Sequence, residues 1–249
     1  MISLRYLMFT TNRIDIKGVV FDFDNTLVDT KTTICGGYKL VFSEIAKKFN
    51  IDKESLISSA NHFQEETIKV LTRSKVSYDH AEWISLIAEN AGIKLNQDEN
   101  EYYKKLFYNY VLNNQRFSNK TDELLTQLKK EGKKLALLSE KDSVPGLKAE
   151  RISKVPFHSY FDLIVIAGET IPFTKSKDGS RVFTETAKLL GLDPNEIVMV
   201  GDRLDLDIQN AKESGMNAIL FTGYIKSEEK SKYRPDFVVD NLLNLSSII

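Results

Sequence analysis

Four short runs of almost unbroken apolar, β-branched or aromatic residues most constrain the fold of this chain. They are Lys17–Phe23, Lys134–Ser139, Leu163–Ala167 and Ile197–Asp202. A strand with one wet face alternates apolar and polar residues. A strand covered on both faces does not, and such strands belong to parallel sheets flanked by helices. Asn217–Thr222 and Phe237–Val239 are weaker runs of the same kind. Helical patterns lie between the later strands. Asp122–Lys130 carries Leu124, Leu125 and Leu128 on one face and stops at Gly132, Val182–Leu190 stops at Gly191, and Asp207–Glu213 stops at Gly215. Strand and helix in alternation predict an α/β fold, a doubly wound parallel sheet with right-handed crossovers.

One stretch breaks the rhythm. From about Thr32 to Gln115 the pattern is helical throughout, over Tyr38–Phe49, Lys53–Leu71, His80–Asn90 and Gln97–Leu112, with no proline. An all-helical insertion after the first strand predicts a small second domain over residues 32–115, hinged near 29–36 and 113–119. The α/β core then comprises residues 17–31 and 116–249, and residues 1–16 form an extension without an assigned role, with Met8 as an alternative start.

Bulk properties narrow the partners. Among 249 residues, 34 basic side chains balance 35 acidic ones, so no net charge favours nucleic acid or a membrane surface. The single cysteine, Cys35, excludes an internal disulfide and fits a reducing, cytoplasmic setting. Arg5 interrupts the apolar run Leu4–Phe9, which is too short for a signal peptide, and no run approaches the roughly 20 residues of a membrane span. The expected form is a monomer or homodimer acting on a small molecule.

In open α/β sheets, binding sites gather beyond the carboxyl ends of the strands. The polar residues ending these strands are Asp22 and Asp24, then Ser139, then Asp202 with Asp205 and Asp207. Asp22 and Asp24 are two apart and share a side while the strand period lasts. Several carboxylates at one edge repel one another unless a cation sits among them, and oxygen ligands of this kind suit Mg2+. Each residue alone has a plainer reading. Asp-x-Asp is commonly a turn, Ser139 a helix cap, and a lysine surface charge. Cys35 reads as a small apolar filler, and His62, His80 and His158 lack the spacing of a metal site.

Taken together, four motifs resemble the haloacid dehalogenase-like superfamily, in its phosphatase branch with a C1-type helical cap (subfamily I). They are Asp22-Phe23-Asp24-Asn25-Thr26-Leu27-Val28; Ser139 ending a strand; Lys177 ahead of Val182-Phe183; and Gly201-Asp202-Arg203-Leu204-Asp205-Leu206-Asp207 followed by Ala211–Met216. The resemblance runs from residue 17 to about 240. It implies Mg2+-dependent hydrolysis of a small phosphorylated metabolite through an aspartyl-phosphate. By the same resemblance Asp22 is the nucleophile and Asp24 the acid and base. Thr26 orders the loop beside the phosphate, Ser139 and Lys177 hold phosphate oxygens, and Asp22, the Asp24 carbonyl, Asp202 and Asp207 hold the metal.

Two assignments stay open. Lys175 rivals Lys177, with the count back from Phe183 favouring Lys177, and Asp205 rivals Asp207, with the family spacing to Ile208 and Gly215 favouring Asp207. Arg73, Lys75, His80 and Trp83 cluster in the insertion and are candidates for substrate selection, against the reading of a solvated cationic loop beside a buried Trp. Thr30 and Lys31 flank the hinge. Phosphomutase chemistry uses the same residues, whereas a 2-haloacid dehalogenase has no use for the second acid, Asp24. A non-catalytic regulatory protein would not need the motifs intact, and a receiver-type domain would leave the insertion unexplained.

Overall fold

A computed structural model of the chain describes residues 16–60, 62, 80–118, 120–227 and 230–249. Its centre is a parallel sheet built from β1 (Gly18–Phe21), β2 (Lys134–Glu140), β3 (Leu163–Ala167), β4 (Ile197–Gly201), β5 (Asn217–Phe221) and β6 (Phe237–Val239). The strand order is β3-β2-β1-β4-β5-β6. Every adjacent pair is parallel, with Phe21 opposite Leu137 on one side and Val200 on the other. The chain builds outward from β1 to β3, then returns to the opposite side of β1 and builds outward again. That reversal opens a crevice beyond the ends of β1 and β4.

The apolar runs form strands because both sheet faces are covered. Val19, Phe21, Leu135, Leu137, Val198 and Val200 point to one side and pack with Leu124, Leu125 and Leu128 of the helix Lys120–Lys130. Val20, Ala136, Leu138, Ile197 and Met199 point to the other side, toward Val182, Phe183, Ala187 and Leu190 of the helix Ser180–Leu190. Two-faced burial leaves no polar alternation, which is the pattern visible in the sequence.

Between β1 and β2 lie helices α1 (Thr30–Phe49), α2 (His80–Asn90) and α3 (Gln97–Asn113), with residues 53–60 also helical. They hold a separate core that includes Tyr38, Phe42, Ile45, Trp83, Ile87 and Phe107. The point of entry differs from the sequence expectation. The helix expected over Tyr38–Phe49 begins at Thr30, where Asp29 caps α1 by accepting from the Thr32 N–H at 3.0 Å, and it runs unbroken from there. The Asp29 N–H also donates to the Arg116 carbonyl at 2.7 Å, and Val28 pairs with Phe117. Entry and exit strands of the helical segment are therefore tied to each other.

Gly36 and Gly37, poor choices for a helix interior, are explained by this packing. A methyl group on Gly37 would lie 2.9 Å from ring carbons of Phe107, and one on Gly36 2.4 Å from the Tyr110 hydroxyl. Only glycine lets α1 and α3 approach this closely. Alanine usually gains about 1 kcal/mol over glycine in an open helix, but Phe107 is fully buried and has nowhere to move. Gly37→Ala is expected to lower stability by roughly 1–3 kcal/mol through overpacking, read as an earlier midpoint in urea or thermal unfolding. A rise in stability would mean that α1 and α3 are not in this contact.

Candidate active site

The crevice beyond β1 and β4 collects the strand-end residues in register. Asp22 follows the last residue of β1, and its N–H donates to the Val200 carbonyl at 2.9 Å. Asp202 follows Gly201 at the end of β4. Ser139 lies two residues beyond Leu137, the partner of Phe21, and is buried. Asp207 returns from the turn 204–208, where its backbone N–H bonds the Arg203 carbonyl and its carboxylate accepts from the Arg203 N–H at 3.1 Å. Gly201 makes room for it, since a methyl group there would sit 2.5 Å from the Asp207 side chain.

Asp22, Asp202 and Asp207 each present an oxygen, and these atoms lie within 4.8 Å of one another in a buried setting. Asp205 does not join them. It turns to Arg203, whose guanidinium donates to it at 2.9 and 2.6 Å. Asp207, which the motif spacing favours, is thus the acid that lies with Asp22 and Asp202.

The lysine expectation needs correction. Lys175 is buried, and its ammonium donates to Asp22 at 2.5 Å and Asp207 at 2.7 Å. Lys177 is exposed and lies away from these acids. The cause is local. Thr174 caps the short helix Lys175–Asp178, which sets Lys175 at its first position against the sheet edge. Two residues later the side chain has turned by about 200° and faces solvent. Glu140 fixes this placement by accepting from the Lys175 N–H at 2.8 Å and the Ser176 hydroxyl at 3.0 Å. The Thr174 cap was the signal in the sequence that would have favoured Lys175.

Three carboxylates against one ammonium leave this pocket two charges negative. Burial, reinforced by Asp207 and Asp24, outweighs Lys175 and pushes the Asp22 carboxyl up to about 7. Burial together with Asp22 and Asp207 pushes Asp202 well above the ordinary range. Thr26 is fully buried with its hydroxyl lacking a partner among the described residues. A divalent cation fits the donor set, because its charge cancels the excess and carboxylate oxygens are its preferred ligands.

Asp24 stands apart. Its carboxylate accepts from the Thr30 hydroxyl at 2.6 Å, from Arg151 at 2.5 Å and from Lys148. Burial favours its neutral form, but Arg151 and Lys148 beside it prevail and hold it far below the usual carboxylate range. The sequence reading missed both cations. They are three residues apart in the helix Leu147–Ser153 and so share a face, but nothing in their surroundings marks that face as turned toward Asp24. Asn25, the next residue, adopts a left-handed conformation, and its side chain accepts from the Lys31 N–H at 2.9 Å.

Two of the four candidate selector residues fall among the described residues. Trp83 is buried in the core of the helical segment, and His80 packs on it at 4.8 Å while bonding the Tyr38 hydroxyl at 2.8 Å. Both serve the packing of the helices. Arg73 and Lys75 lie outside the described residues.

Residues 19–221 match the family model described as haloacid dehalogenase-like hydrolase. The chain belongs to that family. It is 27% identical to the N-acylneuraminate-9-phosphatase of Homo sapiens, with 94% of each chain covered. It is also 27% identical to the glyceraldehyde 3-phosphate phosphatase of Methanocaldococcus jannaschii, over 94% of this chain and 97% of that one. Among solved structures, a putative HAD-hydrolase of Bacillus subtilis shares the fold with a TM-score of 0.75 at 14% identity, covering 94% of this chain and 98% of the other. No helix among the described residues is long and apolar enough to cross a membrane.

The two lysines give opposed predictions. In this family member, Lys175→Met should reduce kcat on the order of a hundredfold or more, as expected when charge stabilisation beside a transferring group is removed. Lys177→Met should remain close to the parent. Steady-state kinetics of both variants decides, and the reverse ranking would return the role to Lys177.

Proposed function

We propose that this hydrolase is a magnesium-dependent phosphatase of small phosphorylated metabolites that works through an aspartyl-phosphate on Asp22. Phosphatase character is common to its full-length relatives, and the chain is an enzyme of that class. The observation that carries the finer reading is the buried Asp22–Asp202–Asp207 set, two charges in excess of its one lysine.

The residues divide the work by position. A carboxylate oxygen of Asp22 attacks phosphorus and the ester P–O bond breaks. Asp24, which Lys148 and Arg151 hold charged in this arrangement, has to leave them and take up a proton from water before it can give one to the departing alkoxide; it then takes one from the water that attacks the aspartyl-phosphate and restores Asp22. Lys175 holds Asp22 in place and offsets charge on the phosphoryl oxygens. The Ser139 hydroxyl lies at the end of the neighbouring strand, where it can donate to another phosphoryl oxygen. Asp22, Asp202, Asp207 and the Asp24 carbonyl would hold magnesium, which would supply the remaining positive charge needed for an anionic nucleophile to meet an anionic ester. Asp24 is the feature that favours a phosphatase over a dehalogenase, since displacement at carbon needs no proton for an alkoxide.

The test is phosphate release from a panel of phosphate esters with and without Mg2+. Chelation is expected to abolish turnover and added Mg2+ to restore it. Asp22→Asn should lose on the order of a thousandfold or more, as removal of a nucleophile does. Wild-type turnover that survives chelation, or an Asp22→Asn variant with near-parent kcat, would sink the mechanism.

A further inference from the structure

We infer that Lys148 and Arg151 form an anion clamp that selects esters whose leaving group carries a second negative charge. The inference rests on the phosphatase reading above. It begins with a charge count. Lys148 and Arg151 are 2% and 4% exposed, so neither is neutralised by water. Two carboxylates balance them, Asp24 and Asp142. Lys148 bonds Asp24 and lies 2.9 Å from Asp142, while Arg151 reaches Asp24 at 2.5 Å and grips Asp142 with contacts of 3.1 and 3.0 Å. Both cations lie over the face of Phe23, at 5.7 and 5.4 Å from the ring centre, which prevents their retreat into the core.

This balance holds only while Asp24 stays where it is. Both of its oxygens are taken, one by Thr30 and Arg151, the other by Lys148. To serve a leaving oxygen, the Asp24 side chain has to turn away from at least one of these donors. The backbone does not turn with it, because Leu27 and Val28 N–H groups both bond the Phe23 carbonyl at 3.1 Å. When Asp24 turns, Asp142 alone faces two buried cations, and one positive charge is left without a partner. Leaving a buried charge unpaired is costly.

The geometry indicates what replaces Asp24. The solvent-facing parts of the cluster are its carboxylates, with Asp24 27% and Asp142 19% exposed, while the cations sit behind them. A replacement anion therefore arrives from the mouth of the crevice, on the side where the leaving group must lie. The helical segment borders the same place, since Tyr108 of α3 bonds Ser143, the neighbour of Asp142, at 2.8 Å. A carboxylate or second phosphate on the leaving group would fill the position that Asp24 vacates.

The experiment compares carboxyalkyl phosphates with hydroxyalkyl phosphates of equal length, two to four carbons, using wild type, Lys148→Met and Lys148→Arg. Wild type should prefer the best carboxylated ester by roughly ten- to hundredfold in kcat/KM, the value of a charge-assisted hydrogen bond. Lys148→Met should collapse that ratio mainly through KM, and Lys148→Arg, which keeps the charge, should retain most of it. A wild-type ratio near one, or a ratio unchanged in Lys148→Met, would overturn the clamp while leaving the phosphatase reading intact. Failure to hydrolyse any ester of either series would also overturn the clamp, while the phosphatase reading stands or falls on the wider panel of esters. A merely structural Lys148 would lower both series equally, which is a third way for the clamp to fail.

Discussion

The structure depends on a charge imbalance that its fold imposes. Three aspartates are forced into one buried pocket because β1 and β4 end side by side and the turn after β4 folds back on Gly201. Lys175 answers only one of the negative charges. Burial, with Asp207 and Asp24 adding to it, outweighs Lys175 and pushes the Asp22 carboxyl up to about 7. The nucleophilic role proposed for Asp22 requires it unprotonated. The same packing that brings the acids together makes a site whose donors fit a divalent cation, and a bound cation would keep Asp22 anionic at neutral pH.

Two residues away the balance is inverted. Asp24 sits between two buried cations and is held firmly in its charged form. Two aspartates on one short loop are thus driven in opposite directions by their neighbours, a pattern that separates the roles of otherwise identical acids. The loop can do this because its backbone is rigid. Asn25 takes a left-handed conformation that few other residues tolerate, and its side chain ties the loop to the start of α1. Asp22 and Asp24 are consequently aimed at different surroundings across very little chain.

How much of this was legible beforehand follows from what each feature depends on. The strands were readable because two-faced burial writes itself directly into composition. Leu163–Ala167 and Phe237–Val239 form with the bounds their apolar runs suggest, and α2 spans His80–Asn90 as its periodicity indicates. Asp22, Asp202 and Asp207 were readable because strand ends converge by rule in such sheets. The misread features depend on rotation about a helix or on partners far away in sequence. Choosing Lys175 over Lys177 required knowing that Thr174, and not a later residue, starts the helix. Finding Lys148 and Arg151 required placing a helix more than a hundred residues from Asp24 against it. Trp83 carried two readings, selector and buried core residue, and an indole buries apolar area so effectively that core packing is its ordinary use.

The helical segment is attached at the point where these two charge systems meet. Its first residue, Thr30, bonds Asp24 at 2.6 Å and accepts from Arg151 at 3.1 Å, while its last helix touches the loop that carries Asp142. Its entry and exit strands are tied through Asp29, Arg116, Val28 and Phe117. A displacement of the segment at either end is therefore felt by the donors that hold Asp24, with no longer path needed. Asp24 and the helical segment thus share one hydrogen-bond network. Under the proposed mechanism, substrate selection and proton delivery would be two aspects of the same contact.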